Sequence, residues 1–384
     1  MSAASPAATG FDALGFELAR ALGPAAENLV LSPVSVGLVL AMTWAGSRGE
    51  TADQIARAIG LAGPRDASLD ALGALAGALA KERTRTELHL ATRLFGARGR
   101  GLSRAFVDLC ERACRAGCEE VDFAADPEKA RKHVNAWTAR ATKDRVREIL
   151  PQGAVDRDTQ LVLDSAIYLK ARWAEPFDAA ATGPGPFRVG SEVRQVQKMV
   201  GTKHAARAGV GPGLRALELP YSDGQTSLLV LVPDDESRFA ALGAELSPAL
   251  VEDVVAGLSE GSLLVHLPRL DATGAALPLS PALRAVGIEA ALDRSRADLR
   301  DIADPPDPKD RLFVAEVFHQ AALRLDEDGT EAAAATAAVF GPLGAAPAEP
   351  TVFDVDRPFY YLVRDAASGA TLFFGRARDP GASA

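Results

Sequence analysis

Apolar positions follow two different periods along this chain. Over roughly the first 150 residues they recur at helical spacing. Residues 28–47 carry no charge, but Ser32-Pro33 divides them: Ser is a good N-cap and Pro suits the first helical position, leaving about 14 helical residues up to Gly46. A membrane span needs about 20, so the pattern predicts a buried core helix and no membrane partner. Thr51-Ala52-Asp53-Gln54 reads as a capping box, with Gly60 closing its helix. Asp126-Pro127-Glu128 opens another helix, whose apolar face runs through Ala130, Val134, Trp137 and Ala141.

Beyond residue 160 the character changes. Residues 161–170, 214–219, 227–232, 263–267, 312–318, 359–363 and 371–374 read as strands, several bounded by Pro or Gly. Helices first and strands later predict an α+β architecture rather than a regular βαβ alternation. No internal repeat is present, and no Pro/Gly linker separates independent halves.

Composition adds exclusions. The chain has 384 residues, 48% hydrophobic and 24% charged, which fits a globular protein and rules out disordered and fibrous classes. Length alone suggests two or three domains, since single cores stop growing at about 250 to 300 residues. A net charge of -9 speaks against a surface that tracks phosphates, so no nucleic-acid partner is expected. The N-terminus shows no basic start followed by an apolar run, which points to the cytoplasm. Cys110, Cys114 and Cys118 sit at helical spacing, but eight residues of helix would hold the outer two about 12 Å apart, too far for one ion. An ordinary helix with reduced thiols is expected, with no metal and no disulfide framework.

The common catalytic signatures are missing. There is no Gly-x-Ser-x-Gly elbow, phosphate-binding loop, His-Glu-x2-His or dinucleotide fingerprint, so neither enzyme chemistry nor a cofactor is expected. Of five scattered histidines only His319 lies in an apolar run, where a hydrogen-bonded core residue is the expected role. Residues 329–350 are a long stretch of small residues between two strand-like runs, and a loop of that length in a compact fold is functional or disordered.

Several segments together resemble the serpin family. Asn28-Leu29-Val30-Leu31-Ser32-Pro33-Val34-Ser35, Ala45 to Thr51, Val134-Asn135-Ala136-Trp137 and Leu163 to Trp173 look like its helical and strand motifs. Glu218-Leu219-Pro220-Tyr221, Leu267-Pro268-Arg269-Leu270, Arg357-Pro358-Phe359 and Phe374-Gly375-Arg376 follow in the family's order. Glu327-Asp328-Gly329-Thr330-Glu331-Ala332-Ala333-Ala334-Ala335-Thr336 is similar to the hinge of an inhibitory member's reactive loop. The resemblance covers residues 11–380 and implies one domain of three sheets and eight or nine helices, with an exposed reactive-centre loop at 329–350. It replaces the length-based expectation of several domains.

The hinge also suits its implied task physically. A segment that becomes a central strand needs small inward side chains, no Pro and a pivot. Thr330, Ala332, Ala334, Thr336 and Ala338 alternate onto one face, Gly329 supplies the pivot, and no Pro occurs before Pro342. Taken alone, the segment is equally compatible with an Ala-rich helix or linker. The resemblance further implies a hinge of Glu327, Gly329, Thr330, Ala332, Ala334 and Thr336, a shutter of Ser32, Ser35, Ser165 and His319, and Trp173 at the breach. The family places Asn where Ser165 stands, and Ser has fewer hydrogen-bonding groups, so a water or Asp164 is expected to complete the network.

The implied function is suicide inhibition of serine proteases, against a non-inhibitory carrier or chaperone-like binder and, more remotely, a hydrolase. Sixteen positions beyond Glu327 place the scissile bond at Leu343-Gly344. The expected partner is then a chymotrypsin-, elastase- or subtilisin-like protease with an apolar primary pocket, bound covalently by a monomer. Pro358 stands fifteen positions after Leu343, which keeps Phe340, Ala345 and Ala346 open as bait. The resemblance also leaves the extracellular space open as a compartment.

Overall fold

The computed structural model describes residues 5–23, 27–305, 307, 311–330 and 350–382. Among them are nine α-helices: α1 (Pro6–Ala21), α2 (Pro33–Ala45), α3 (Gly49–Ala58), α4 (Arg65–Leu79), α5 (Arg104–Cys114), α6 (Pro127–Ala141), α7 (Ser237–Glu245), α8 (Pro248–Ala256) and α9 (Ser280–Ala285). Three sheets complete the α+β architecture that the sequence predicts. One is antiparallel and seven-stranded, with Thr226–Pro233, Phe359–Asp365 and Thr371–Ala377 near its centre. A four-stranded sheet orders Thr351–Asp354, Leu263–Pro268, Glu192–Lys203 and Gly183–Val189.

The third sheet carries the hinge. Its strands are β1 (Thr86–Ala97), β2 (Gly117–Val121), β3 (Leu161–Arg172), β4 (Leu270–Thr273), β5 (Leu277–Pro278), β6 (Glu316–Leu325) and β7 (Gly329–Thr330). The order is β4-β6-β7-β3-β1-β2, with β5 against β6. β3 and β6 also pair directly and in parallel over seven registers, from Glu316 opposite Val162 to Ala322 opposite Tyr168. β7 is wedged between their far ends, antiparallel to both, with Thr330 opposite Ala171 on one side and Leu325 on the other.

Helices cover both faces of this sheet. On one side lies α2, apolar all round and wholly buried, started by Ser32, whose hydroxyl accepts from the Ser35 backbone at 3.1 Å. On the other side α6 starts at Asp126, which accepts from the Lys129 backbone, and lays Ala130 and Val134 against Phe95, Val162, Ala166 and Phe318. Trp137 and Ala141 pack at the edge of that cluster.

Four expectations are corrected here. α3 begins three residues early, at Gly49 with Arg48 as N-cap, and Thr51 and Gln54 do not cap it. Thr51 accepts instead from the Asp298 backbone, and Gln54 from those of Glu289 and Ala290, which staples α3 to a distant segment. The strand expected at 312–318 runs from Glu316 to Leu325; Leu312 and Val314 are buried, but ahead of the ladder. The three cysteines do not share one helix. α5 ends at Cys114, Arg115 turns the chain with φ +50°, and Cys118 returns on β2. Asp164 belongs to the other face of the sheet from Ser165, because adjacent strand residues point opposite ways.

Candidate functional site

Ser32, Ser35, Ser165 and His319 come from three elements and meet between α2 and the hinge sheet, all fully buried. The backbone N–H of Ser32 donates to His319 Nε2 at 2.9 Å, so that nitrogen is the acceptor. A neutral ring then carries its proton on Nδ1, which lies 2.8 Å from the Ser165 carbonyl oxygen and donates to it. Burial pushes the His319 pKa down to about 4, which keeps the ring neutral at physiological pH. Ser165 Oγ lies 2.8 Å from Ser35 Oγ and 3.2 Å from His319 Nδ1, joining α2 to β3 and β6. The shorter Ser side chain thus closes the network directly, without Asp164.

Glu327, Gly329 and Thr330 lie at the far end of β3 and β6, where β7 begins. Asp326 and Gly329 form the turn, with the Asp326 N–H donating to the Gly329 carbonyl at 2.9 Å. Gly329 has φ +148°, and a Cβ there would sit 2.1 Å from the Ala171 carbonyl oxygen, so glycine is required both by conformation and by space. Thr330 is fully buried, its hydroxyl 2.7 Å from that of Tyr221. Tyr221 stacks on Trp173 at 4.5 Å between centroids, and Trp173 Nε1 donates to the Asp326 carbonyl at 2.8 Å. Gly329, Thr330, Trp173 and Tyr221 therefore form one packed unit.

Glu327 anchors the base of this unit. Its Oε1 accepts from Thr182 Oγ1 at 2.6 Å and from Arg269 Nε at 2.7 Å. Burial works to raise its pKa, but these hydrogen bonds and the guanidinium charge hold it below the usual value. Thr182, Tyr221 and Arg269 were given no role by sequence reasoning. Tyr221 and Arg269 stand within matched motifs, yet their meeting with Thr330 and Glu327 is set by tertiary packing across about 60 to 110 residues. Ala332, Ala334, Thr336, Leu343 and Gly344, with the alternatives Phe340, Ala345 and Ala346, lie outside the described residues.

Removing the Tyr221 hydroxyl leaves the buried Thr330 hydroxyl without its partner. Tyr221→Phe is expected to cost about 1–3 kcal/mol, read as a lower unfolding midpoint in urea with an unchanged slope. An unchanged midpoint would mean that the contact does not hold the hinge.

A sheet whose two central strands pair in parallel with a wedge beginning at Gly329 between their far ends, and a buried serine–histidine network beside it, defines a class. Residues 9–380 match the family model described as serpin (serine protease inhibitor), and the chain belongs to the serpin family. Among its relatives are the leukocyte elastase inhibitor of Xenopus laevis, 32% identical over 92% of this chain and 93% of that protein, and human Serpin B8, 33% identical over the same shares. Solved structures share the fold. Native protease nexin-1 with heparin superposes with a TM-score of 0.87 at 24% identity, covering 97% of this chain and 99% of that one. Uncleaved ovalbumin gives 0.84 at 25%, over 97% and 100%.

Proposed function

We propose that this chain is a suicide inhibitor of serine proteases whose primary pocket is apolar. The observation that carries the reading is β7. Gly329 and Thr330 already pair antiparallel to β3, beside a β6 that runs parallel to β3 below them. Extending β7 toward residue 343 would replace one parallel interface by two antiparallel ones, which are slightly more stable per residue. The chain supplies small side chains for that path, whereas a carrier of this fold would be expected to show a bulky, charged or Pro-containing hinge.

The chemistry belongs to the protease. Its serine oxygen attacks the carbonyl carbon of Leu343, the C–N bond to Gly344 breaks, and the Gly344 nitrogen leaves as an amine carrying the transferred proton. Insertion of the acylated loop then competes with hydrolysis of the ester by water. Within this reading Ser32, Ser35, Ser165 and His319 hold the sheet shut, Gly329 and Thr330 lead the strand in, and Glu327 fixes its base. The protein acts as inhibitor rather than catalyst and as a monomer.

The test is a denaturing gel after mixing with chymotrypsin or elastase. A covalent band of summed mass is expected; cleavage without that band would favour the carrier. No Lys or Arg occurs from Thr330 to Asp356, so trypsin, whose pocket carries a buried carboxylate, should be inhibited little. Leu343→Arg should transfer inhibition to trypsin and reduce it by about a hundredfold toward chymotrypsin. Undiminished chymotrypsin or elastase inhibition in that variant would move the bait to Phe340, Ala345 or Ala346.

A further inference from the structure

Asp164 is a fully buried carboxyl on the sheet that must open, set on the face opposite the Ser165 network. Its Oδ2 is hydrogen-bonded to Thr138 Oγ1 of α6, and its Oδ1 has no hydrogen-bond partner among the described residues. Thr138 Oγ1 also lies 3.1 Å from the Val134 carbonyl oxygen one turn back. A hydroxyl has one proton and satisfies one acceptor with it. If that proton goes to Val134, the bond with Asp164 needs a proton from the carboxyl. The neutral acid therefore completes a chain, Asp164 O–H to Thr138 and Thr138 O–H to Val134. The carboxylate breaks it and leaves a buried charge on a single hydrogen bond.

The surroundings favour the neutral form. Opposite Asp164 on β1 stands Arg93, whose guanidinium is drawn away to Glu119 at 2.6 Å and lies over the Trp137 ring; Glu119 in turn meets His133 of α6 at 2.6 Å. On β6 the opposite residue is Phe318, with Glu316 and Gln320 next on that face, and Glu316 is occupied by the Ser280 backbone and hydroxyl. From α6 come Thr138 and the apolar Val134 and Trp137. Burial raises the Asp164 pKa to about 8, against the smaller opposing effects of Thr138 and Arg93.

α6 lies across β1, β3 and β6, so a strand that widens the sheet between β3 and β6 has to shift it. We propose that Asp164 is a positioning residue for loop insertion: as the neutral acid it clasps α6 to the sheet through Thr138, and as the carboxylate it lets α6 go. The clasp rests on the reading that the loop inserts between β3 and β6. In the opened sheet the carboxyl meets water and returns toward its ordinary value of 3.8. Between that value and about 8 the closed form holds a proton that the open form releases, so opening speeds up as pH rises and levels off above about 8. Other buried groups act elsewhere: Asp12 is raised to about 7, His319 is lowered to about 4, and Lys203, lowered to about 8, acts above that pH. Asp12 is held by Thr371 of the other seven-stranded sheet and does not face the gap between β3 and β6, so a rise from pH 7 to 8 that is lost in Asp164→Asn belongs to Asp164.

The test anneals a synthetic peptide of the sequence 330–343 to the intact full chain from pH 6 to 9 and follows its incorporation. The wild-type rate is expected to rise about fivefold between pH 7 and 8, below the tenfold ceiling for one proton, and then level off. Asp164→Asn, which stays neutral and still donates to Thr138, should show a low rate that does not change between pH 6 and 9. Thr138→Val removes the partner through which the neutral acid holds α6 and should raise the pH 6 rate toward the wild-type plateau, an independent check if the first variant does not fold. A rise that persists in Asp164→Asn, or an unchanged pH 6 rate in Thr138→Val, overturns the clasp. A peptide that anneals to no form at any pH overturns the insertion reading beneath it.

Discussion

Cutting the loop at its bait is expected to raise the melting temperature by about 10 to 25 °C. On the proposed reading the intact sheet has room for a strand: β3 and β6 pair in parallel over seven registers, and among the described residues β7 spans Gly329 and Thr330. A released loop adds about ten backbone hydrogen bonds at roughly 0.5–1.5 kcal/mol net each. About five small inward side chains add roughly 0.8 kcal/mol apiece. The sum is about 9–19 kcal/mol, and a chain of 384 residues unfolds with about 0.8 kcal/mol per degree of entropy. On that reading the same arithmetic predicts a metastable intact form, held by the barrier to separating β3 from β6. Melting curves of intact and loop-nicked protein, compared at one scan rate, provide the check. Coincident curves would mean that no strand inserts.

What the sequence disclosed follows from how local each signal is. The Ser32-Pro33 cap specified α2 to the residue, because N-cap chemistry acts within one turn. Asp126 worked in the same way for α6. Thr51 and Gln54 carry the same kind of signal and misled, since their side chains found partners about 240 residues away. The four shutter positions were readable only through resemblance; nothing in their spacing places α2 beside β3 and β6. The expectation that Asp164 completes the Ser165 network overlooked strand alternation, which puts neighbours on opposite faces once 161–170 is a strand. The Thr138 partner was not readable, since it depends on which helix covers that face. The cysteines show the limit of periodicity: one left-handed residue, Arg115, ended the helix that their spacing suggested.

Thr330→Arg is expected to abolish the covalent complex while leaving the loop a good substrate. Thr330 is already inside the sheet, fully buried against Tyr221 and paired with Ala171, so the first residue to insert is also the most enclosed. A guanidinium there has either to lose its hydration or to pull β7 out of its wedge. An effective penalty of about 4 kcal/mol for an unpaired buried charge slows insertion about a thousandfold, whereas hydrolysis of the ester, carried out by the protease, keeps its rate. The branch that was trapping becomes turnover, and the gel shows cleaved inhibitor with free protease. Thr330→Ser keeps the hydroxyl for Tyr221 at smaller volume and should retain the complex, which separates charge from mere substitution. If the Thr330→Arg protein trapped protease at the wild-type ratio, the strand that enters the sheet would not begin at Gly329, and the assignment of the hinge would have to be given up.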